Sequence, residues 1–272
     1  MTAARSGSGA AIADLLTAEL AREIAESEVS VFAVTTPASV AAALAARAVA
    51  LPELVIAGGF TALDAEPIPA VSLGEAGLFT HGLPVRDWPY DTFCLLARGR
   101  VGVATAPAQL DSTGATNLSG IGPLGRPKVA LPGPQGLPDN NCSPSRVWYL
   151  YGVHSPRQLV ERVDMVCGAP PPSGATRRLL TPAGCFELAS PGWRALWLTP
   201  GGAELVAQAP GFGIRCSGDE PIRTEPDGRF LDAVRAADPD EVRTIEFAAA
   251  DEAGRRWALA AERESHRDPV GR

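Results

Sequence analysis

Long apolar runs, paired cysteines and an excess of basic charge are all missing from this chain of 272 residues. No stretch of about 18 apolar residues exists to cross a bilayer, and Met1 to Gly9 lacks the basic start and continuous apolar run of a secretion signal. The expectation is a cytoplasmic protein with no membrane partner. With 31 acidic against 24 basic residues the net charge is -7, so no overall basic field draws in a phosphate backbone, and nucleic acid is not an expected partner. Lys128 is the only lysine, a trait of GC-rich genomes from which no function follows.

Other absences narrow the chemistry. Cys94, Cys142, Cys167, Cys185 and Cys216 are odd in number and widely spaced, with no C-x-x-C among them, so neither a disulfide framework nor a zinc site is indicated and the thiols read as buried or idle. His81, His154 and His266 stand far apart, without a second ligand at metal spacing. Each reads as a surface or satisfied imidazole, and no metal is expected. The chain has no G-x-x-x-x-G-K-[ST] loop and no G-x-S-x-G elbow. Gly120-Ile-Gly122-Pro-Leu-Gly125 does match G-x-G-x-x-G, but Pro123 and Pro127 forbid the helix whose amino end would face a pyrophosphate.

What is present is a globular composition, 46% hydrophobic, able to bury a sizeable core. Ile12, Leu15, Leu16, Leu20 and Ile24 recur at helical spacing and predict an amphipathic helix. Val29 to Val34 is a β-branched run, Thr35-Thr36-Pro37 starts a helix, Ala38 to Val49 is alanine-rich, and Leu54 to Ile56 runs into Gly58 and Gly59. That order is a βαβ unit, and it predicts an α/β fold: a mostly parallel open sheet flanked by helices, with its site at the carboxyl ends of the strands. Phe93 to Leu96, Val101 to Ala104, Val147 to Val153 and Met165 to Val166 read as further strands, Cys185 to Leu188 and Ala195 to Leu198 as a strand pair, and Ala203 to Gln208 as a short helix. Gly114 to Pro138 is too rich in glycine and proline for one regular element and reads as an ordered loop or lid of functional kind. The resulting division is a flexible terminus over 1–9, one domain over 10–247, and a charged helix or tail over 248–272.

Specific words then stand out. Thr35-Thr-Pro-Ala-Ser-Val-Ala-Ala-Ala-Leu-Ala-Ala-Arg47 followed by Leu51-Pro-Glu-Leu-Val-Ile-Ala-Gly-Gly59 resembles the opening of class I coenzyme A-transferase B subunits, where the second strand ends in Glu-Ser-Gly. Ala108-Gln-Leu-Asp111, Gly114-Ala-Thr-Asn117, Arg126-Pro-Lys128 and Leu131-Pro-Gly-Pro-Gln-Gly-Leu-Pro-Asp139 are similar, in order and spacing, to that family's later turns and glycine-rich loop. The subgroup it resembles is the B subunit of the bacterial steroid ring-opening CoA hydrolases, whose A subunit is credited with an acid-base glutamate. The resemblance implies the CoA-transferase fold, an A (alpha) subunit partner in a heterodimer or heterotetramer, an acyl-CoA thioester as substrate and no permanently bound cofactor. Substrate-binding residues carried over are Gly58, Gly59, Asn117, Gly133, Gln135 and Gly136. At Asn117, Gln109 and Asp111 the ordinary reading is turn bonding.

The departure is Ala57, which aligns with the transferase glutamate and cannot supply a nucleophilic oxygen. Glu53 precedes the apolar strand and emerges at its far end, whereas Asp64, Glu66 and Glu75 lie beyond the turn. The catalytic residue is therefore not assigned in this chain. Water attack on an activated carbonyl becomes the expected chemistry. A transferase with a displaced acid, or a non-catalytic scaffold subunit, is the alternative.

Overall fold

The structure is a computed structural model. It describes residues 9–27, 29–58, 62–64, 83–84, 90–143, 146–248 and 250–266. In chain order the elements begin with α1 (Gly9–Ala25), β1 (Val31–Val34), α2 (Pro37–Val49), β2 (Val55–Gly58), β3 (Ala62–Leu63), β4 (Leu83–Pro84), α3 (Tyr90–Ala97), β5 (Val101–Thr105), β6 (Gln109–Asp111) and β7 (Thr116–Asn117). They continue with β8 (Gly120–Ile121), β9 (Val129–Ala130), α4 (Leu137–Cys142), β10 (Arg146–Leu150), β11 (Leu159–Val160), β12 (Arg177–Thr181), β13 (Gly184–Leu188) and β14 (Trp193–Leu198). Last come α5 (Gly202–Ala207), α6 (Gly228–Ala237) and α7 (Ala250–His266), with 3-10 turns at Pro210–Phe212 and Val242–Phe247. The chain forms two compact units, one from residues 1–92 and 225–272 and the other from residues 93–224.

The first unit is built on the βαβ unit read from the sequence. β1 and β2 are parallel, with Ala33 opposite Ala57 and Val34 opposite Gly58, and β3 and β4 extend β2 in antiparallel sense. Helix α2 starts where Thr36 caps it, with Pro37 behind the cap and Ser39 closing a reciprocal capping box. Alanine at Ala38, Ala41, Ala42, Ala43, Ala45 and Ala46 lets α2 be covered on nearly every side, as a helix apolar all round requires. α1, α6 and the Val242–Phe247 turn all pack on it. α1 is less amphipathic in practice than its pattern predicts, because Asp14 and Glu19 on its other faces are also buried, each beside an arginine.

The second unit carries the strand order β14-β13-β12-β10-β5. β5, β10 and β12 are parallel, and β13 and β14 return antiparallel, as the paired segments predicted. Its core gathers Tyr149, Phe186, Trp193 and Phe212; Trp193 stacks on Phe212 at 5.6 Å between centroids and meets Tyr149 edge-on at 6.1 Å. The α/β, parallel-strand expectation therefore holds in both units.

Two strands read from the sequence are not strands. Phe93 to Leu96 lies in helix α3, because a short apolar run without alternation fits either element. Met165 and Val166 form part of a turn, with Met165 under Gly120 and Val166 exposed. Of residues 1–9, read as a flexible terminus, 1–8 lie outside the described residues and Gly9 instead begins α1, and the charged C-terminal segment is helical as α7.

Candidate functional site

At the carboxyl ends of β1 and β2, Ala57 sits inside the sheet between Ala33 of β1 and Leu63 of β3, fully buried, so a methyl group occupies the position of the expected acid. Gly58 ends β2 opposite Val34, and Gly59 lies outside the described residues. Asp64 does not replace the acid. Its carboxylate accepts the Ile56 N–H at 2.9 Å and an Arg47 N–H at 3.2 Å, and its own N–H returns to the Ile56 carbonyl at 2.8 Å, so it clamps the turn after β2. Glu53 is exposed and precedes β2, at the opposite end from the turn. Glu66 and Glu75 lie outside the described residues.

A different carboxyl stands at this edge, from a place sequence reasoning passed over. Glu246, in the Val242–Phe247 turn, accepts the Ala38 N–H at 2.7 Å and is hydrogen-bonded by the Thr36 side chain. Burial pushes its carboxyl up to about 7 against the pull of those two bonds. Its one local sign was a single acid between Ile245 and Phe247.

In the second unit the predicted turn residues form one network. The Asn117 amide donates to Gln109 Oε1 at 2.7 Å and to the Gly120 carbonyl at 2.8 Å, and its oxygen accepts the Ser119 N–H at 3.0 Å. Gln109 Oε1 also accepts the Asp164 N–H at 3.0 Å, and Asp164 Oδ2 accepts from Gln109 and from the Gly122 N–H. Asp111 closes its own turn by accepting from Thr113 and from the Ala115 N–H. Both hydrogens of the Asn117 amide and its oxygen are engaged inside the protein, so this side chain shapes the segment that follows it.

That segment is ordered. The run from Gly120 to Gly125 begins in β8 and enters the β8–β9 hairpin, where no helix follows, in accord with rejecting a dinucleotide site. The Leu131 N–H reaches the Ser119 carbonyl at 3.1 Å and the Gly133 N–H reaches the Leu118 carbonyl at 3.0 Å. Gly133 has φ 110 and Gln135 φ 48, a conformation natural to the first and uncommon for the second. A β-carbon added at Gly133 would meet nothing within 4 Å, and one at Gly136 only Asn140 Nδ2 at 3.6 Å. The glycines thus leave space in front of the loop instead of filling a core. Val at Gly133 is expected to cost about 1–2 kcal/mol of backbone strain without a clash, measurable as a small fall in urea midpoint.

His154 departs from the satisfied imidazole expected of it. Its Nδ1 is 2.9 Å from Thr181 Oγ1, its Nε2 is buried without a hydrogen-bond partner, and burial lowers its pKa to about 4. His81 lies outside the described residues. All five cysteines are free, Cys185 buried, Cys142 and Cys216 exposed, and Cys167 beside Ser119 Oγ at 3.0 Å. Among the described residues no cluster of His, Cys, Asp or Glu could hold a metal ion, and no helix is long and apolar enough to cross a membrane.

No known protein-family profile matches the chain. It is 31% identical over 207 residues to the cholesterol ring-cleaving hydrolase IpdB subunit of Rhodococcus jostii (strain RHA1), covering 68% of this chain and 81% of that protein. The IpdB subunit of Mycobacterium tuberculosis (strain ATCC 25618 / H37Rv) is 32% identical over 198 residues, covering 68% and 75%. The chain belongs to the IpdB family. Among solved structures, the decarboxylase AibA/AibB superposes with a TM-score of 0.75 at 28% identity, covering 88% of this chain and 99% of that one. Rhodococcus jostii RHA1 IpdAB gives a TM-score of 0.69 at 25% identity, covering 90% and 100%. Glutaconate coenzyme A-transferase from Acidaminococcus fermentans, at 19% identity and a TM-score of 0.72 over 88% and 97%, shares the fold. IpdB chains thus have the CoA-transferase fold and are subunits of heteromeric enzymes that pair them with an A-type subunit.

Proposed function

We propose that this chain is the B-type subunit of a heteromeric, cytoplasmic hydrolase that opens a ring of an acyl-CoA by carbon–carbon cleavage. The buried methyl of Ala57 carries this reading: at the strand end where a transferase holds its nucleophile, there is no oxygen to form an acyl-enzyme bond. The IpdB relatives, named as cholesterol ring-cleaving hydrolase subunits, support it.

The chemistry follows from the missing nucleophile. A water oxygen adds to a ketone carbonyl of a β-diketone or cyclic β-keto acyl-CoA, the adjacent carbon–carbon bond breaks, and its electron pair passes to the carbon that becomes an enolate. That carbon takes a proton, and the former ketone becomes a carboxylic acid, in a ring substrate still joined to the CoA thioester through the opened chain. A glutamate of the A subunit serves as the base. This chain contributes the turn at Gly58 and Gly59 and, on the Gly133–Gly136 loop, the backbone N–H groups of Gln135 and Gly136, with the Gly133 N–H and Asn117 holding the start of that loop. The acyl-CoA enters and leaves as substrate, with no cofactor resident.

Coexpressed with its A-type subunit, the chain is expected to open a cyclic β-keto acyl-CoA to an acid that keeps its CoA thioester, without passing CoA to a labelled carboxylic acid, and hydroxylamine is expected to trap no protein-bound thioester. Label exchange, or a trapped thioester, would make it a transferase. In the same complex, Gly133→Val is expected to lower kcat/KM by about tenfold or more. Unchanged turnover would show that the loop serves only as scaffold.

A further inference from the structure

The first turn of α2 has few backbone donors to satisfy. Pro37 has no N–H, and the Ser39 N–H reaches Thr36 Oγ1 at 3.3 Å. The Ala38 N–H goes to Glu246 Oε1, 208 positions along the chain. Thr36 Oγ1 accepts from Ser39, so its own hydrogen is free to be donated to an ionised Glu246, giving one directed chain from Ser39 N–H through the hydroxyl to the carboxylate. A protonated Glu246 keeps one accepting oxygen but brings a hydrogen of its own, so the Thr36 hydroxyl must turn to accept and the charge-assisted bonds become weaker neutral ones. The two protonation states therefore hold the turn differently.

The location gives this a consequence. α2 follows β1 directly, so its first turn lies at the carboxyl end of β1, whose last residue, Val34, pairs with Gly58 next to Ala57. We propose that Glu246 is a positioning residue for the reaction: ionised, it draws Thr36 and Ala38 into place and fixes the β1–α2 turn beside Ala57 and Gly58; protonated, it holds that turn more loosely and slows turnover. This rests on the hydrolase reading above.

The charged groups on the surrounding elements are engaged elsewhere. On α1, Asp14 is bound to Arg243, and Glu19 and Glu23 lie against Arg22. The charged residue of α2, Arg47, sits near its far end and binds Asp64. In the first turns of α7, Glu252 is bridged to Arg255 and Arg256, Asp251 contacts Arg255, and Arg256 donates to Thr244. Beside Glu246 on its own segment, Arg243 is bound to Asp14 and Asp238, and Glu241 caps the turn, exposed. No charge contributes to the raised pKa of Glu246; burial raises it, and the two bonds oppose the rise.

The test is kcat against pH for the two-subunit enzyme, with wild type, Glu246→Gln and Glu246→Asp, and thermal unfolding read in parallel. Wild-type kcat is expected to climb through about pH 7. Glu246→Gln, which mimics the neutral form, is expected to lose this limb and fall by about tenfold at alkaline pH, and Glu246→Asp to restore the limb. A limb that survives in Glu246→Gln overturns the inference alone, even if the melting temperature moves, since a purely structural cap changes stability and not the profile. Inactivity of the wild-type complex at every pH removes the hydrolase reading and this inference together.

Discussion

Arg243→Met is expected to lower the stability of the chain by about 3–5 kcal/mol, because it leaves two carboxylates in the interior without their cation. The Arg243 side chain is 1% exposed. It reaches Asp14 Oδ1 at 2.6 Å and Asp238 Oδ2 at 3.0 Å, and it also donates to the Asp238 carbonyl at 3.1 Å. Asp238 in turn accepts the N–H groups of Val242 and Arg243, so the guanidinium fixes the entry to the turn as well as the charge. Arg235 also touches Asp14 at 2.7 Å, but it is largely solvent-exposed and its loss should cost about 1 kcal/mol or less. Urea unfolding of Arg243→Met beside Arg235→Ala checks both. Equal, small losses would mean that the carboxylates regain water when the arginine is removed.

Glu246→Gln is expected to stabilise the protein by about 3 kcal/mol at alkaline pH and by little in acid. The carboxyl holds its proton to about 7 in the fold, against an ordinary value of 4.5. Between those values the folded chain keeps a proton that the unfolded chain has released, so stability is fully present below 4.5 and is lost as pH rises through about 7. Glutamine takes the same shape without the buried charge. Unfolding midpoints of the two proteins should coincide in acid and separate above neutrality, and parallel curves would show that Glu246 is more hydrated than its surroundings indicate. Stability and turnover then move in opposite directions at this position, as expected where a site holds a costly charge.

The βαβ unit was legible because its signals are local. Thr36 and Pro37 mark a helix start by their own chemistry, and the alanine run and following glycine bound the helix and the next strand. Ala57 reads as a departure because the words around it resemble a family, and the IpdB relationship bears out the family itself. Phe93 to Leu96 was misread because four apolar residues carry no period. β7, β8 and β9, at two residues each, are set by the Asn117 and Asp164 networks and have no pattern of their own. Glu246 was invisible for a stronger reason. Its meaning lies in a contact 208 residues away, and the Arg243 to Asp14 bridge spans 229.

Those spans also set an order of events during synthesis. Residues 93–224 form one unbroken run, so that unit is complete on the nascent chain while the other still lacks residues 225–272. Until Arg243 and Glu246 leave the ribosome, Asp14 has no buried cation and the Ala38 N–H no carboxyl, so α1 and α2 must wait with the faces that α6 and the Val242–Phe247 turn later cover still open. The part of the chain made first is therefore the part finished last. A ribosome stalled anywhere in the second unit would hold out an incomplete β1–α2–β2 layer, an exposed surface that chaperones are built to bind.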